Sequence, residues 1–330
     1  MKTQASLNGF GRFGLHLLNY YLDRYQDCSF TLSSINDETL SVNQMISIIQ
    51  KDRYVRILEN WDMSFDSNSI IFQRESNSIK LEIWNLPLER YISNKSGILL
   101  ECSGKYTNVL CLPKTEHLQR IYISATSLSA DKTLIVGLNE TDYSTSDKFI
   151  SYGSCTVNAY IPAANSLHKL FTVLESDVNV IHNVAEHKLN EIPNIFERRD
   201  CTLSFMGPKI LNFITPENFN VNYTLLPITG VSRMDFRFKL EKPFDMNSVV
   251  NCIEGIRSQL GENLYQIHET DPGQHASLLS SFSAEFVLEQ CRKVGQNLYL
   301  SAYFDTENSV NRYYDLIETI ETIEKERRNQ

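Results

Sequence analysis

Short apolar runs alternate with longer amphipathic stretches along the first half of the chain. Five such runs, rich in apolar and β-branched residues, predict strands: residues 4–7, 30–35, 97–102, 120–124 and 133–137. Between the first two, Leu15, Leu18 and Leu22 recur at helical spacing, which predicts a helix over residues 15–25. Strands separated by helices are typical of an open α/β sheet.

The second half contains longer strand patterns. Predicted strands cover residues 178–181, 202–205, 221–226, 230–240 and 297–303. Along 230–240 apolar and polar residues alternate, and only the adjacent pair Ser232-Arg233 disturbs the period. Residues 247–259 and 284–294 predict helices that cover this sheet, and residues 66–78 predict a hairpin or a loop.

The last helix is predicted over residues 311–325. Its apolar residues at helical spacing predict a buried stripe: Leu316, Ile320 and Ile323. Its acidic residues are expected to be solvated: Glu318, Glu321 and Glu324.

Composition narrows the class of protein. With 330 residues, 42% hydrophobic and 22% charged, the chain is long enough for two ordinary globular domains. A net charge of −9 and scattered basic residues argue against nucleic acid or an acidic membrane as partner. No apolar run reaches membrane-spanning length, and residues 1–5 lead straight into the first strand, leaving no room for a signal peptide. We therefore expect a cytoplasmic protein.

The cysteines and histidines do not form metal or disulfide patterns. The seven cysteines are an odd number without a C-x-x-C pair, and the seven histidines lack metal-ligand spacing. A reduced chain without a metal site is expected.

A glycine turn follows the first strand. Gly9, Gly11 and Gly14 form G-x-G-x-x-G between a strand and a helix, the context that a dinucleotide pyrophosphate requires. Asp37 ends the next strand, 26 positions after Gly11, where a carboxylate binds the adenosine ribose and favours NAD over NADP. Candidate cofactor-binding residues are Asn8, Gly9, Phe10, Gly11, Arg12, Phe13, Asp37 and, at later strand ends, Ser103, Gly104 and Ser124.

Cys155 is the candidate nucleophile. Residues 148–153 predict a strand ending in a turn, and a helical pattern then begins at Cys155 with Ser154 as N-cap. The helix dipole and free N–H groups at that position favour a thiolate, so a lowered thiol pKa is expected. The alternative is a buried structural cysteine.

These motifs together resemble the glyceraldehyde-3-phosphate dehydrogenase family. The resemblance is carried in order by residues 8–12, 35–37, 101–107, 122–125, 136–139 and 154–158, and extended by 235–243 and 311–316. It implies a Rossmann-type NAD-binding domain over 1–153, completed by the helix 311–330. It also implies an α+β catalytic domain over 154–310 with a large, mostly antiparallel sheet. A homo-oligomer, tetramer or dimer, is implied too, although the segment 199–231 that carries subunit contacts is shorter than usual.

The resemblance also assigns roles. His182, 27 residues after Cys155, would activate the thiol for attack on an aldehyde, and the thiohemiacetal would pass hydride to the nicotinamide. His182 would take the hydroxyl proton and stabilise the oxyanion together with the Cys155 N–H. His187 is a second candidate base. Thr306 stands where the family has the asparagine that orients the nicotinamide amide.

Departures from the family pattern concentrate on phosphate binding. Ala185 replaces a threonine, and Leu225 and Cys201 stand at the places of two arginines. Ser154 and Thr156 remain as substrate or phosphate ligands. Arg233 and Arg237 are either replacement cations or solvated strand residues.

The sequence therefore predicts NAD-dependent oxidation of an aldehyde through a cysteine thioester, with a substrate that need not be the triose phosphate. The acyl acceptor (phosphate, water or another group) and the direction of reaction stay open. The alternative is a non-catalytic NAD-binding paralogue with a regulatory or interaction role.

Overall fold

The fold is described from a computed structural model of the chain. It describes residues 2–52, 54–184, 189, 195–228, 230–260, 264–273 and 280–328. The chain divides into two compact units. The first is Met1–Gly153 with Arg312–Gln330, and the second is Ser154–Asn311.

The described elements follow in chain order. They begin with β1 (Thr3–Asn8), α1 (Arg12–Arg24), β2 (Phe30–Asn36), α2 (Val42–Lys51), α3 (Ile57–Asn60), β3 (Asp62–Phe65), β4 (Ser69–Arg74), β5 (Asn77–Trp84), α4 (Leu88–Ile92), β6 (Ile98–Glu101), β7 (Arg120–Ile123), β8 (Lys132–Thr133) and β9 (Phe149–Ser151). They continue with α5 (Cys155–Phe171), β10 (Val173–His182), β11 (Glu197–Arg198), α6 (Thr202–Ile210), β12 (Phe219–Leu225), β13 (Ser232–Leu240), α7 (Met246–Leu260), β14 (Tyr265–His268), β15 (Ala284–Val287), β16 (Arg292–Val294), β17 (Asn297–Phe304) and α8 (Val310–Arg328).

The first unit is built on a largely parallel sheet. Its order over the described strands is β3-β4-β5-β2-β1-β6-β7-β9-β8, and the strands from β5 to β8 pair in parallel. The strands β6 and β7 are buried at every position, as expected for a sheet covered on both faces. The hairpins β3-β4 and β4-β5 add the antiparallel edge, which fits the hairpin predicted around residues 66–78.

The second unit is built on a mostly antiparallel sheet. Its order is β11-β12-β10-β13-β17-β15-β14, with β16 also paired to β17. Long antiparallel ladders join β10, β13 and β17. Along β13, Met234, Phe236 and Phe238 are buried, and Tyr160 of α5 stacks on both phenylalanines. The alternation in the sequence therefore marks the face that α5 covers, and the predicted α/β fold class is confirmed.

Two predicted strands are wrong in whole or in part. Residues 202–205 begin the helix α6, whose buried residues Leu203, Met206 and Gly207 follow helical spacing. The four-residue window was too short to separate a helix from a strand. The strand predicted over 133–137 is limited to β8, which ends at Thr133; beyond it the backbone turns, with Gly137 at φ +83°.

The helix predicted over residues 284–294 is also wrong. This segment forms β15, a short 3₁₀ turn over Leu288–Gln290, and β16. All four residues of β15 are buried, and the strand pairs with both β14 and β17. Pairing inside the sheet overrides the helix propensity of Ala, Glu and Leu.

The helix α8 packs differently from the prediction on its acidic side. Leu316 and Ile320 are buried as predicted and Ile323 is half-buried. Glu321, however, is 1% exposed. Its carboxylate accepts two hydrogen bonds from the Arg120 guanidinium, at 2.8 and 3.0 Å, and one from the Tyr122 hydroxyl at 2.7 Å.

Glu318 and Glu324 are not fully solvated either. Glu318 accepts hydrogen bonds from the Ser29 N–H. Glu324 accepts from the Tyr143 hydroxyl and lies 3.2 Å from the Arg120 guanidinium. The acidic side of α8 therefore binds the parallel sheet.

Among the residues that the structure describes, no helix combines the length and the apolar stretch that a membrane crossing needs.

Removing the buried Glu321 carboxylate should destabilise the protein. Glu321→Ala leaves the Arg120 guanidinium buried without its bidentate partner, and we expect a loss of about 3–5 kcal/mol in the free energy of unfolding. Chemical denaturation measures it. Glu326→Ala, an exposed residue of the same helix, is the matched control and should change stability by less than about 0.5 kcal/mol. Equal effects of the two substitutions would contradict the assignment.

Candidate active site

The glycine turn between β1 and α1 forms a close-packed cradle. Gly9 has φ +93°, and a Cβ there would lie 2.3 Å from the Ser103 nitrogen. A Cβ on Gly14 would lie 2.2 Å from the Gly9 oxygen. Gly11, by contrast, is the N-cap of α1 and faces open space, because a Cβ on it would have no atom within 4 Å. The arrangement leaves the helix N-terminus open to an anion.

Asp37 is anchored beside this turn. Its Oδ2 accepts from the Phe10 N–H at 2.7 Å, and its Oδ1 accepts from the N–H groups of Thr39 and Leu40 and from the Thr39 hydroxyl. Burial alone would raise the pKa of Asp37, but these hydrogen bonds outweigh it and lower the pKa below 3.8. The carboxylate is therefore ionised, and Oδ2 keeps a lone pair for one more donor.

A buried amide and carboxylate network joins three strand ends. Asn8 donates from Nδ2 to Glu101 at 2.7 Å, and Asn36 donates from Nδ2 to the Asn8 side-chain oxygen at 2.8 Å. The Ser103 N–H and hydroxyl both donate to the other Glu101 oxygen. Burial raises the pKa of Glu101. Asn8 and Ser103 thus hold the ends of β1, β2 and β6 together.

The remaining predicted cofactor residues of this unit differ in their contacts: two lie against aromatic rings, and two are described by their backbone. Phe13 is half-buried and packs edge-on against the buried rings of Tyr152 and Tyr313. The Arg12 guanidinium lies 4.8 Å from the ring centre of Tyr54. Gly104 has φ +70°, and the Ser124 N–H donates to the Glu101 carbonyl.

A cavity of about 500 Å³ beyond Asp37 was not predicted from the sequence. Its lining includes Glu38, Pro87, Leu88, Lys105 and Tyr106. The Glu38 carboxylate binds the Lys105 ammonium and accepts from the Tyr106 hydroxyl at 2.9 Å and the Leu88 N–H at 2.7 Å. In the sequence, the second acidic residue directly after Asp37 was the feature that could have indicated this cavity.

Gly9→Ala should be much more damaging than Gly11→Ala. The new methyl at Gly9 meets the Ser103 backbone at a positive φ, and we expect a loss of at least about 2 kcal/mol in the free energy of unfolding. Gly11→Ala meets nothing in the protein and should leave stability almost unchanged. Thermal and chemical unfolding compare the two variants. Equal stabilities of the two variants would show that position 9 does not require a glycine.

In the second unit, Cys155 begins α5 with Ser154 as N-cap. The Ser154 hydroxyl accepts from the Val157 N–H at 3.3 Å, as the sequence predicts. Cys155 is 8% exposed. Its Sγ lies 3.7 Å from Nε2 of His182 at the end of β10. The thiol and the imidazole therefore meet at the hydrogen-bond distance of a sulfur donor.

The tautomer of His182 follows from its second contact. Nδ1 lies 2.8 Å from the Asn183 carbonyl oxygen, which only accepts hydrogen bonds. Nδ1 therefore carries the proton in the neutral ring, and the lone pair of Nε2 faces Cys155. This is the orientation that a general base for the thiol needs.

The pKa values of the pair differ from the expectation. Burial is the main cause that raises the pKa of Cys155 to about 12, against the lowering effects of the Thr306 hydroxyl and the Thr156 N–H. Burial also lowers the pKa of His182 below 6.5. The thiolate expected from the helix start is therefore not the resting state, because burial outweighs the hydrogen bonds at the helix N-terminus.

Both shifts favour the neutral pair. Burial raises the pKa of the thiol and lowers that of the imidazole, so it opposes transfer of the proton from Cys155 to His182, although the two groups lie 3.7 Å apart. The resting pair is therefore neutral.

Asn183, whose carbonyl bonds to His182 Nδ1, is itself held by polar groups. Asn183 donates from Nδ2 to the Asp305 carboxylate at 3.0 Å and exchanges hydrogen bonds with the Ser232 hydroxyl. Burial and the neighbouring Glu307 raise the pKa of Asp305 well above 3.8. Asn183 and Asp305 were not predicted from the sequence, although Asp305 precedes the predicted Thr306. Thr306 itself lies at the sulfur, with Oγ1 3.8 Å from Cys155 Sγ.

The candidate phosphate ligands bind one another. The Ser154 hydroxyl lies 3.0 Å from that of Thr156 and 2.9 Å from that of Thr202, the first residue of α6. The Cys201 thiol donates to the Thr156 hydroxyl at 3.7 Å. Leu225 is 6% exposed and lies opposite His182 in the β10-β12 ladder. Thr202 was missed because its segment was predicted as a strand.

The two arginines considered as replacement cations have acidic partners. Arg237 binds the carboxylates of Asp177 and Glu175, and Arg233 binds Asp235 at 3.2 Å. Both arginines lie on the face of β13 opposite its buried phenylalanines. Ala185 and His187 lie outside the described residues.

Within the described residues, no group of three or more His, Cys, Asp or Glu side chains is arranged to hold a metal ion.

Comparison with known proteins gives one consistent result. The chain is 25% identical over 345 residues to glyceraldehyde-3-phosphate dehydrogenase 4 of Caenorhabditis elegans, covering 97% of this chain and 99% of the relative. It is 24% identical over 275 residues to glyceraldehyde-3-phosphate dehydrogenase of Zymomonas mobilis, covering 76% and 79%. With glyceraldehyde-3-phosphate dehydrogenase 2 of Trichormus variabilis it shares 24% identity over 260 residues, covering 72% and 74%. No family model matches the sequence.

Proposed function

We propose that this chain is a divergent member of the glyceraldehyde-3-phosphate dehydrogenase family that oxidises an aldehyde with NAD through Cys155. The observation that carries the proposal is the contact between Cys155 Sγ and the unprotonated Nε2 of His182. Similarity to dehydrogenases of this name over nearly the whole chain supports it.

Cys155 and His182 would perform the covalent chemistry. The thiol sulfur adds to the aldehyde carbon while its proton moves to Nε2 of His182, and His182 then returns that proton to the carbonyl oxygen, which becomes the hydroxyl of a thiohemiacetal. Loss of hydride from that carbon, with loss of the hydroxyl proton to His182, leaves a thioester on Cys155. The N–H at the start of α5 would stabilise the oxyanion.

The first unit would hold the cofactor. When bound, NAD supplies the acceptor for the hydride. The open space at Gly11 fits a pyrophosphate at the N-terminus of α1, and the remaining lone pair of Asp37 fits a ribose hydroxyl. The ionised carboxylate of Asp37 disfavours the 2′-phosphate of NADP by like charge.

The substrate proposal extends beyond the triose phosphate. The hydroxyls of Ser154, Thr156 and Thr202 bind one another, and the buried Leu225 beside His182 carries no charge. These contacts support an aldehyde without a phosphate group, and release of the thioester to water or another acceptor as well as to phosphate.

A non-catalytic NAD-binding paralogue is the second candidate. One observation favours it: burial raises the pKa of Cys155 and lowers that of His182, so the resting thiol is protonated. The His182 tautomer favours the enzyme, because a structural histidine has no need to present its lone pair to a thiol.

Incubation of the protein with NAD and a panel of aldehydes tests the proposal. We expect NADH absorbance to rise with at least one aldehyde, and Cys155→Ser to reduce the rate by at least about a thousandfold because the nucleophile is lost. Cys291→Ser, at a cysteine of the second unit whose Sγ donates to the Val287 carbonyl, is the matched control and should keep the activity. If NADH absorbance does not rise with any phosphorylated or unphosphorylated aldehyde, with or without phosphate, the result would support the non-catalytic paralogue instead.

The pH dependence tests the role of His182. Because burial lowers the pKa of His182 below 6.5, the neutral base persists to lower pH than in a free imidazole. The acid limb of kcat/KM should therefore have its midpoint below pH 6.5, since protonation of Nε2 removes the base. A midpoint near about 8.5, the value of an ordinary thiol, would mean that thiol ionisation and not His182 limits the reaction.

A further inference from the structure

Thr306 lies beside the candidate nucleophile. Its Oγ1 is 3.8 Å from Cys155 Sγ, on a turn that directly follows β17. A hydroxyl is a better donor than a thiol, so this contact is an O–H···S hydrogen bond from Thr306. The same sulfur contacts His182 Nε2 at 3.7 Å. Cys155 is thus between a group that accepts its proton and a group that donates to its sulfur.

The turn that carries Thr306 is fixed by hydrogen bonds at both of its ends. The Thr306 N–H donates to the Asp305 carboxylate at 2.7 Å, and the Ser309 hydroxyl donates to the Thr306 carbonyl at 2.7 Å. Asp305 in turn accepts from Asn183, the residue whose carbonyl orients His182. The Thr306 hydroxyl and the His182 ring are therefore held by one connected set of contacts.

The hydrogen bond from Thr306 gains strength as the thiol ionises. A donor to a neutral thiol contributes little, whereas hydrogen bonds to charged groups are roughly twice as strong as neutral ones. In a site where burial opposes the thiolate, a donor that acts mainly on the charged sulfur lowers the barrier to attack. The hydroxyl keeps its own proton throughout, and the thiol proton goes to His182 Nε2.

We propose that Thr306 is a catalytic residue of the same site, whose hydroxyl stabilises the Cys155 thiolate as it forms, and not the cofactor ligand that the sequence predicts. The proposal rests on the proposed function for its role in catalysis. The hydrogen bond itself is testable without NAD or an aldehyde.

Alkylation of Cys155 by iodoacetamide, followed by mass spectrometry across a pH series, measures thiolate formation directly. Thr306→Val keeps the shape of the side chain and removes the donor. We expect its alkylation rate at Cys155 to fall roughly tenfold below the thiol pKa, and the pH midpoint to move upward. Thr306→Ser restores the hydroxyl and should recover most of the rate. The exposed Cys111 in the same sample is the internal reference.

The outcomes separate the proposal from its alternatives. Equal alkylation profiles for wild type and Thr306→Val would overturn it, as would a loss in Thr306→Ser as large as in Thr306→Val. If the valine variant does not fold, Thr306→Ala provides the second variant without a hydroxyl. If Thr306→Val raises only the KM for NAD and leaves the alkylation of Cys155 unchanged, the result would support cofactor binding by Thr306 and contradict the proposal. If Thr306→Val shows the expected alkylation effect but the wild-type protein oxidises none of the aldehydes, the hydrogen bond is supported and the proposed function is refuted.

Discussion

The hydrogen bond between His182 Nδ1 and the Asn183 carbonyl oxygen fixes which ring nitrogen faces Cys155. It assigns the ring proton to Nδ1 and turns the Nε2 lone pair toward Cys155. The bond depends on the end of β10, where parallel pairing with β12 and antiparallel pairing with β13 fix the backbone. Asn183 is held further by Ser232 and Asp305. The orientation of the His182 ring thus depends on the end of β10 and on the contacts that hold Asn183.

The pair is buried and neutral at rest, which changes how the nucleophile is activated. Burial outweighs the helix N-terminus at Cys155, so the thiol is not ionised in advance. In the reaction that we propose, deprotonation accompanies attack, with His182 as acceptor and the Thr306 hydroxyl as donor to the sulfur. The hydroxyls of Ser154, Thr156 and Thr202 nearby bind one another.

Motifs that act within one strand-turn-helix segment were predictable from the sequence. The glycine turn and the N-cap at Ser154 depend on local geometry, and the structure has them in that geometry. Asp37, which accepts from Phe10, and His182, which contacts Cys155, each have a partner 27 positions away, and motif spacing or the family resemblance predicted them. Other features that depend on distant partners were not predictable. The segment 284–294 has helix-forming residues, yet β15 is a strand because β14 and β17 flank it.

Charged residues on the closing helix show the same limit. A glutamate on an amphipathic helix is usually solvated, but Glu321 meets Arg120 and Tyr122, which lie 201 and 199 positions away in sequence. The role that we propose for Thr306 likewise depends on its contact with Cys155, 151 positions earlier. The family pattern predicts cofactor binding at that position and gives no sign of the contact with the sulfur.

In the reaction that we propose, Cys155 carries the substrate as a thioester. Mass spectrometry of the intact protein, acid-quenched after mixing with NAD and an aldehyde that the protein oxidises, tests this directly. We predict a mass increase equal to the aldehyde less two hydrogens, located on the peptide that contains Cys155 and absent without NAD. NADH formation with an unmodified Cys155 at every quench time, or an adduct on another residue, would contradict it.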